Sequence, residues 1–228
     1  MPNHTHIYER EAGKYDELVS KQPDVSMALQ SLCSIAGKEV IELGAGAGRL
    51  TVPLARLART VAAFDASDAM LRLAAAKLRQ EGLANWTVQT ADHRAIPAET
   101  GSADVLVAGW TIGYIANSTV PSGMQNLAAV MSEVQRVLRP GGTALIIETL
   151  GTGVAEPAPP DFLTAYYEEL ERTYGYRRHP IRTDYRFDDA AQAAELIRFF
   201  FGEELGAHVA ARRLTVVPEC AGIWIRVY

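Results

Sequence analysis

Cysteine is scarce in this chain. Only Cys33 and Cys220 occur in 228 residues, far apart, so there is no disulfide scaffold of the kind that staples small secreted domains. Two buried thiols in a reducing cytosol are expected instead. Long apolar runs are missing too: none approaches the roughly 18 residues of a membrane span. The opening MPNHTHIYEREAGKYDEL has no basic start followed by an apolar stretch, so no secretory leader is expected and the cytoplasm is the expected location. Positive charge is not in excess. With 22 Lys and Arg against 27 Asp and Glu the net charge is −5, which argues against a nucleic-acid backbone or an anionic membrane as the main partner. No His, Cys or Asp group has the spacing of metal ligands, so no metal is expected. No Gly-x-Ser-x-Gly nucleophile turn occurs, and there is no internal repeat or low-complexity tract. What remains is an ordinary globular composition, 48% hydrophobic and 21% charged, long enough for one large domain with its own core.

From residue 38 to about 150, strand-like and helix-like stretches alternate. KEVIEL (38–43) is a short apolar run, and RLTVPLARLAR (49–59) follows with apolar residues about one helical turn apart. TVAAF (60–64) is strand-like again. Ser67 or Asp68 can cap a helix running to about Gln80, with Leu71, Ala74 and Leu78 on its apolar face. Trp86–Gln89, Ala103–Ala108 and Thr143–Thr149 supply a third, fourth and fifth strand. Leu127, Met131, Val134 and Leu138 step through an amphipathic helix that stops at Pro140-Gly141-Gly142. Strands apolar throughout, separated by helices of about ten residues or more, imply parallel pairing with both faces covered, and right-handed crossovers then give a doubly wound α/β sheet.

After Leu150 the rhythm changes. Residues 151–160 (GTGVAEPAPP) read as a loop, Asp161–Tyr174 as a helix rich in aromatics, Ile181–Phe187 as a short strand or extended arm, and Asp188–Gly202 as a second helix. His208–Val217 and Ile223–Tyr228 read as a hairpin that adds an antiparallel edge strand. One domain is expected, divided into N-terminal lid helices (1–34), a binding core (35–150), an insertion (151–205) and a closing hairpin (206–228).

IELGAGAGRL (41–50) places Gly44, Gly46 and Gly48 behind an acid, Glu42. Glycine turns between a strand and a helix let backbone approach a ligand, because no Cβ intervenes and positive φ is tolerated. The amides at the helix start are then free donors. In a dinucleotide fingerprint the third glycine follows the second by three residues. Here Gly48 follows Gly46 by two, and Arg49 stands where that pattern has glycine. Glu42 adds a negative charge that would repel a pyrophosphate and attract an ammonium or sulfonium. The loop therefore suits a cofactor with a cationic end and no phosphates.

VIELGAGAGRLT resembles the first motif of the class I S-adenosylmethionine-dependent methyltransferases, an acid followed by x-Gly-x-Gly-x-Gly, and the family's later motifs follow in order. Asp65 ends the second strand 17 residues after Gly48, Asp92 follows the third, SADVLVAGWTIGYI resembles the fourth-strand motif, and EVQRVLRPGGTALIIE the helix, turn and fifth strand. The match spans roughly residues 35–150. It implies a Rossmann-like seven-stranded sheet, mostly parallel with an antiparallel C-terminal strand and helices on both faces. It implies S-adenosyl-L-methionine as methyl donor, with S-adenosyl-L-homocysteine as product. By the same resemblance Glu42, Gly44, Ala45, Gly46 and Gly48 form the turn, Asp65 with Ala66 faces the ribose, and Met70 packs on the adenine unless it is plain core. Asp92 accepts from the adenine amino group and the His93 backbone offers its N–H, the ring itself reading as a solvated loop histidine. Gly109 and Trp110 run beside the methionine part. Tyr15, in a Tyr15-Asp16 pair like the family's opening segment, folds over as part of a lid.

The acceptor site of such a fold lies outside the carboxyl ends of the strands. Tyr8, Tyr114, Glu148 and Tyr166 are candidates to line it. So are Arg177 and Arg178, whose charge would suit an acidic or carboxylate-bearing substrate unless they are only surface charge. No catalytic residue is assigned, because a sulfonium donor is already activated and a general base is optional; His4, His6 and His179 are conceivable bases. The expected function is methyl transfer to a small molecule by a monomer or homodimer. A nicotinamide-dependent oxidoreductase is the alternative, weakened by the glycine spacing and the lack of a Tyr-x-x-x-Lys pair. A non-catalytic cofactor-binding protein is a third reading.

Overall fold

The computed structural model describes residues 3–228. Three short helices, α1 (His4–Arg10), α2 (Ala12–Ser20) and α3 (Ser26–Leu32), precede the first strand. The expected alternation follows as β1 (Glu39–Leu43), α4 (Thr51–Leu57), β2 (Thr60–Asp65), α5 (Asp68–Gln80), β3 (Trp86–Thr90), β4 (Ala103–Gly109), α6 (Gly113–Ala116), α7 (Gly123–Val137) and β5 (Leu138–Thr152). Ser67 caps α5, its hydroxyl accepting from the Met70 amide, and Leu71, Ala74 and Leu78 are buried as their spacing requires. The rest of the chain forms α8 (Asp161–Arg172), β6 (Arg177–Arg182), β7 (Tyr185–Arg186), α9 (Ala190–Phe201), α10 (Glu203–Arg212), β8 (Val216–Val217) and β9 (Glu219–Val227).

The strands assemble as one seven-stranded sheet in the order β3-β2-β1-β4-β5-β9-β6. The β3-β2-β1-β4-β5 run is parallel, and β9 is antiparallel to both β5 and β6. The apolar strands bury side chains on both faces, one core around Leu106, Val134 and Ile146 and another around Val40, Leu54 and Ile223. A third cluster joins α1 and α2 to α9 through Ile7, Leu18, Leu196 and Phe200. Both cysteines are free, Cys220 buried and Cys33 only partly so. No helix among the described residues is long and apolar enough to cross a membrane.

The C-terminal hairpin is corrected. Residues 203–212 are helical, not extended: EELGAHVAAR carries helix formers, and Gly206 and Val209 turn one face inward. The break from α9 falls at Gly202, whose φ is 98°. β9 does not fold back on a preceding partner but inserts between β5 and β6. The apolar run from Cys220 to Trp224, buried throughout, marks a central strand covered on both faces.

Candidate functional site

The strands β1, β2 and β4 end together, and the turn after β1 shows why its glycines are not equivalent. All three have positive φ: 71° at Gly44, 51° at Gly46 and 86° at Gly48. A Cβ on Gly44 would lie 2.3 Å from Cβ of Thr111, and one on Gly48 would lie 3.1 Å from the α5 backbone at Ala74. Those two glycines serve close packing. At Gly46 a Cβ would meet nothing within 4 Å, because this glycine faces open space. Asp65 braces the turn from β2: its Oδ2 accepts from the Gly46 amide at 2.9 Å and its Oδ1 from the Ser67 amide at 2.8 Å.

That open space is a cavity of about 500 Å³, within the range of small-molecule sites. Gly44, Gly46, Asp65 and Ala66 form one side, with Met70 reaching in from α5. Asp92 and His93 close the β3 end, while Gly109, Trp110 and Tyr114 come from the segment after β4. Tyr8 and Tyr15 cover the cavity from α1 and α2. Twelve of the residues singled out from the sequence thus meet here. His4, Thr5, Thr90, Ala91, Thr111 and Ile115 line it as well; Thr111 and Ile115 fall inside the fourth-strand motif without being marked by it as site residues, and His4 is offered by the sequence only as a conceivable base.

Local chemistry differs around the wall. The Asp92 carboxylate is held by the Arg94 side chain, 2.6 Å from Nη2, which keeps its pKa down at about 2. The His93 ring is not a solvated loop group. It is 9% exposed, its Nε2 lies 2.7 Å from the Thr111 hydroxyl, its enclosed Nδ1 has no partner, and burial lowers its pKa. Trp110 has a φ of 50°, strained for so bulky a residue. Its amide donates to the Ile147 carbonyl at 2.7 Å, and its ring lies 3.8 Å from the Arg49 guanidinium carbon. On α1, His4 Nε2 sits 3.1 Å from the Phe200 carbonyl. A carbonyl only accepts, so this nitrogen carries the hydrogen and Nδ1 accepts from Tyr114, 3.2 Å away. The Tyr114 oxygen in turn takes the Tyr8 hydroxyl at 2.6 Å.

The remaining candidates do not line this cavity. Ala45 and Gly48 are buried in the turn. Glu42 stands behind the wall, not at its mouth: it is 1% exposed and neither carboxyl oxygen has a partner. Burial pushes its pKa up to about 8, with Thr51 working the other way. Glu148 is also buried, where it accepts from the Gly113 amide at 2.9 Å and from the Tyr166 hydroxyl at 3.3 Å. Burial raises its pKa to about 7. Glu148 and Tyr166 therefore anchor the start of α6 from below. Arg177 and Arg178 belong to β6, the outer edge of the sheet beyond β9, where Arg178 pairs with Glu171 at 3.3 Å.

A family model described as a methyltransferase domain matches residues 40–142, the stretch that supplies most of the cavity. A demethylmenaquinone methyltransferase of Lactococcus lactis is 31% identical over 152 residues, 63% of this chain and 57% of that protein. A ubiquinone biosynthesis O-methyltransferase of Agrobacterium fabrum is 29% identical over 47% of this chain and 39% of its own length. The chain spans about half the length of the curated relatives it matches. Among solved structures, a SAM-dependent methyltransferase from Aquifex aeolicus superposes with a TM-score of 0.60 at 17% identity, covering 91% of this chain and 92% of the other. The methyltransferase-domain match covers residues 40–142, and the solved structure shares the doubly wound fold of this chain.

Proposed function

We propose that the protein transfers a methyl group from S-adenosyl-L-methionine to a small-molecule acceptor. The observation that carries this reading is the cavity at the strand ends, where Gly46 leaves room for a ligand directly beside the carboxylate of Asp65. The fit extends to the unpartnered Nδ1 of the cavity-lining His93, a polar group whose burial is costly without a partner. Asp65 would take the ribose hydroxyls on the lone pairs its two amide bonds leave free. Met70 and the segment 90–93 would hold the adenine. Gly109 and Trp110 would run beside the methionine chain.

When bound, S-adenosyl-L-methionine supplies a methyl group already activated on a sulfonium. The chain's own task is then alignment and the exclusion of water. The lid rings of Tyr8, Tyr15 and Tyr114 exclude water, and burial keeps the Tyr8 phenol protonated by raising its pKa. No step requires a strong base. The relatives named as demethylmenaquinone and ubiquinone methyltransferases carry small-molecule acceptors in their names, and the net charge of −5 suits no nucleic-acid partner. A cytoplasmic monomer or homodimer goes with this reading. Titration calorimetry with S-adenosyl-L-homocysteine tests it: micromolar or tighter binding is expected, and binding of NAD(H) with no heat from S-adenosyl-L-homocysteine would overturn it.

A further inference from the structure

His4 and Tyr8 stand one turn apart on α1, so both face the same way, and both line the cavity together with Tyr114 of α6. Their hydrogen bonds run in one direction. The Phe200 carbonyl, 3.1 Å from His4 Nε2, can only accept, so that nitrogen carries the imidazole hydrogen. Nδ1 is then an acceptor and takes the Tyr114 hydroxyl at 3.2 Å. Tyr114 has its own hydrogen engaged there, so its oxygen accepts from Tyr8 at 2.6 Å. Tyr8 ends the chain. Its hydrogen is used, and no hydrogen bond to its oxygen is made among the described residues. A phenol oxygen has two lone pairs, so the neighbouring Tyr15, whose ring meets Tyr8 edge-on at 5.0 Å, could fill one of them at most.

An end that can only accept calls for a ligand that donates, an O–H or an N–H. The charges on the wall narrow the choice. Among the described residues that line the cavity only Asp65 and Asp92 are charged, and both belong to the wall assigned to the methyl donor. An anionic acceptor would find no cation there, and burying it unpaired is costly. An ammonium has no lone pair with which to take a methyl group. The rings of Tyr8, Tyr15, Trp110 and Tyr114 offer apolar faces suited to an aromatic ligand.

We propose that the methyl acceptor is a neutral phenol-type hydroxyl compound, that Tyr8 receives its hydrogen bond, and that Tyr114 and His4 pass its proton outward. This assignment rests on the methyltransferase reading above. As the acceptor oxygen bonds to the methyl carbon, with the C–S pair left on sulfur, its proton moves to the Tyr8 oxygen. The Tyr8 proton moves to Tyr114, and that of Tyr114 to His4 Nδ1. The positive charge lost at sulfur thus reappears on the imidazole. There Nε2–H keeps its bond to the Phe200 carbonyl, and the ring lies parallel to the Phe200 ring at 4.3 Å, an aromatic face that favours a cation. Burial lowers the His4 pKa, which keeps the ring neutral and able to accept at neutral pH. An imidazole is a weak base, and a methyl group already activated asks for no stronger one. His4 is partly exposed and hands the proton to water. Tyr8 alone touches the acceptor, and Tyr114 and His4 act through it.

The full chain is titrated first with S-adenosyl-L-homocysteine, and failure to bind would overturn the methyltransferase reading itself. The saturated protein is then titrated with para-nitrophenol, with para-nitroanisole, which keeps the ring but has no O–H, and with para-nitrobenzylamine as an ammonium. Para-nitrophenol is expected to bind at millimolar concentration or below, with the other two on the order of tenfold weaker. Tyr8→Phe, also measured at saturation, should bring para-nitrophenol down to the para-nitroanisole level. With S-adenosyl-L-methionine as donor, para-nitrophenol should be converted to para-nitroanisole, read as fading of the colour of its anion. His4→Phe keeps a ring against Phe200 and should lower kcat on the order of 100-fold with KM within about threefold, a split that a loosened α1 alone would not produce. Should His4→Phe fail to fold, Tyr114→Phe cuts the same chain and should show the same split. With the donor bound, four results would overturn the proposal alone: para-nitrophenol neither binding nor being methylated, para-nitroanisole or the amine binding as tightly, Tyr8→Phe binding para-nitrophenol as before, or kcat surviving the cut chain.

Discussion

On one side of the cavity the protein presents backbone and short side chains: Gly44, Gly46, Ala66 and the Asp65 carboxylate, all fixed by parallel strand pairing. On the other it presents rings, His4 and Tyr8 from α1, Tyr15 from α2 and Tyr114 from α6. The first wall is as rigid as the sheet. The second hangs on a seven-residue terminal helix whose hold is a set of aromatic contacts, His4 on Phe200 at 4.3 Å and Tyr8 on Tyr15 at 5.0 Å between centroids. A helix that short has little stability of its own and belongs to the part of a structure that opens first. A backbone wall suits a ligand that never changes, and a ring wall suits one that must enter and leave.

The largest effect expected from this contrast is at Gly46. Gly46→Val should leave the protein folded, since the new side chain points into open space and positive φ costs about 1–2 kcal/mol. It should still abolish S-adenosyl-L-homocysteine binding, by on the order of 1000-fold. Gly44→Ala should do the reverse, because its Cβ would collide with Thr111 at 2.3 Å and cost the fold before the ligand. Calorimetry and thermal melts of both variants check this, and a Gly46→Val protein that unfolds would make the glycine structural.

A buried acid stands behind each wall, and the two are not equally supported. Glu148, behind the ring wall, has two hydrogen bonds, whereas Glu42, behind the glycine wall, has none. Both have raised pKa values, about 7 and about 8, so the folded state holds protons that the unfolded chain has released above its ordinary range near 4.5. Their contribution is therefore largest in acid and is lost as pH rises through 7 to 8. Urea melts should show stability falling between pH 6 and pH 9 by on the order of 3 kcal/mol. Glu42→Gln should recover more of that loss at pH 9 than Glu148→Gln. Equal recovery would mean the Glu148 hydrogen bonds do nothing for its charged form.

How much of this was legible in the sequence follows the same division. Parallel strands that are apolar throughout, a Ser67 cap and a glycine turn are local patterns, and each residue of β1, β2, α5 and β4 could be read from its neighbours. The lid side depends on distant partners. Nothing near His4 in the chain announces Phe200 or Tyr114, and His93 reads as a loop histidine until Thr111 is brought to its ring. The C-terminal region misled for a related reason. Leu205 and Val209 serve a helical spacing as readily as an extended one, and only the two-sided burial of β9 shows that it pairs with β5 and β6. Glu42 was legible as an acid at the turn but not as a buried one, because burial is decided by what the folded chain packs around a residue and not by its neighbours in sequence.

Asp65 belongs to the rigid wall through its side chain, so it sharpens the contrast. Asp65→Ala removes two acceptors of loop amides and the proposed partner of the ribose, and S-adenosyl-L-homocysteine affinity should fall by about 1–3 kcal/mol. Calorimetry at constant pH reads it. Unchanged affinity would remove Asp65 from the binding site and leave it only as the brace of Gly46.

The smallest effect should come from the ring wall. Tyr114→Phe keeps the ring and its contacts with Tyr8 and His4 but cuts the hydroxyl chain from Tyr8 through Tyr114 to His4. One such bond is worth about 1 kcal/mol, spent on closure of α1 and not on the sheet. Global stability should therefore hardly change, while amides of α1 exchange with deuterium several-fold faster and S-adenosyl-L-homocysteine dissociates several-fold faster, with its association rate little altered. Since the backbone wall still makes its contacts, equilibrium affinity should fall by less than in Asp65→Ala. If α1 exchange is unmoved, the lid is held by ring packing alone, and the corresponding loss would have to be sought in Phe200→Ala, which removes the stacking surface of His4.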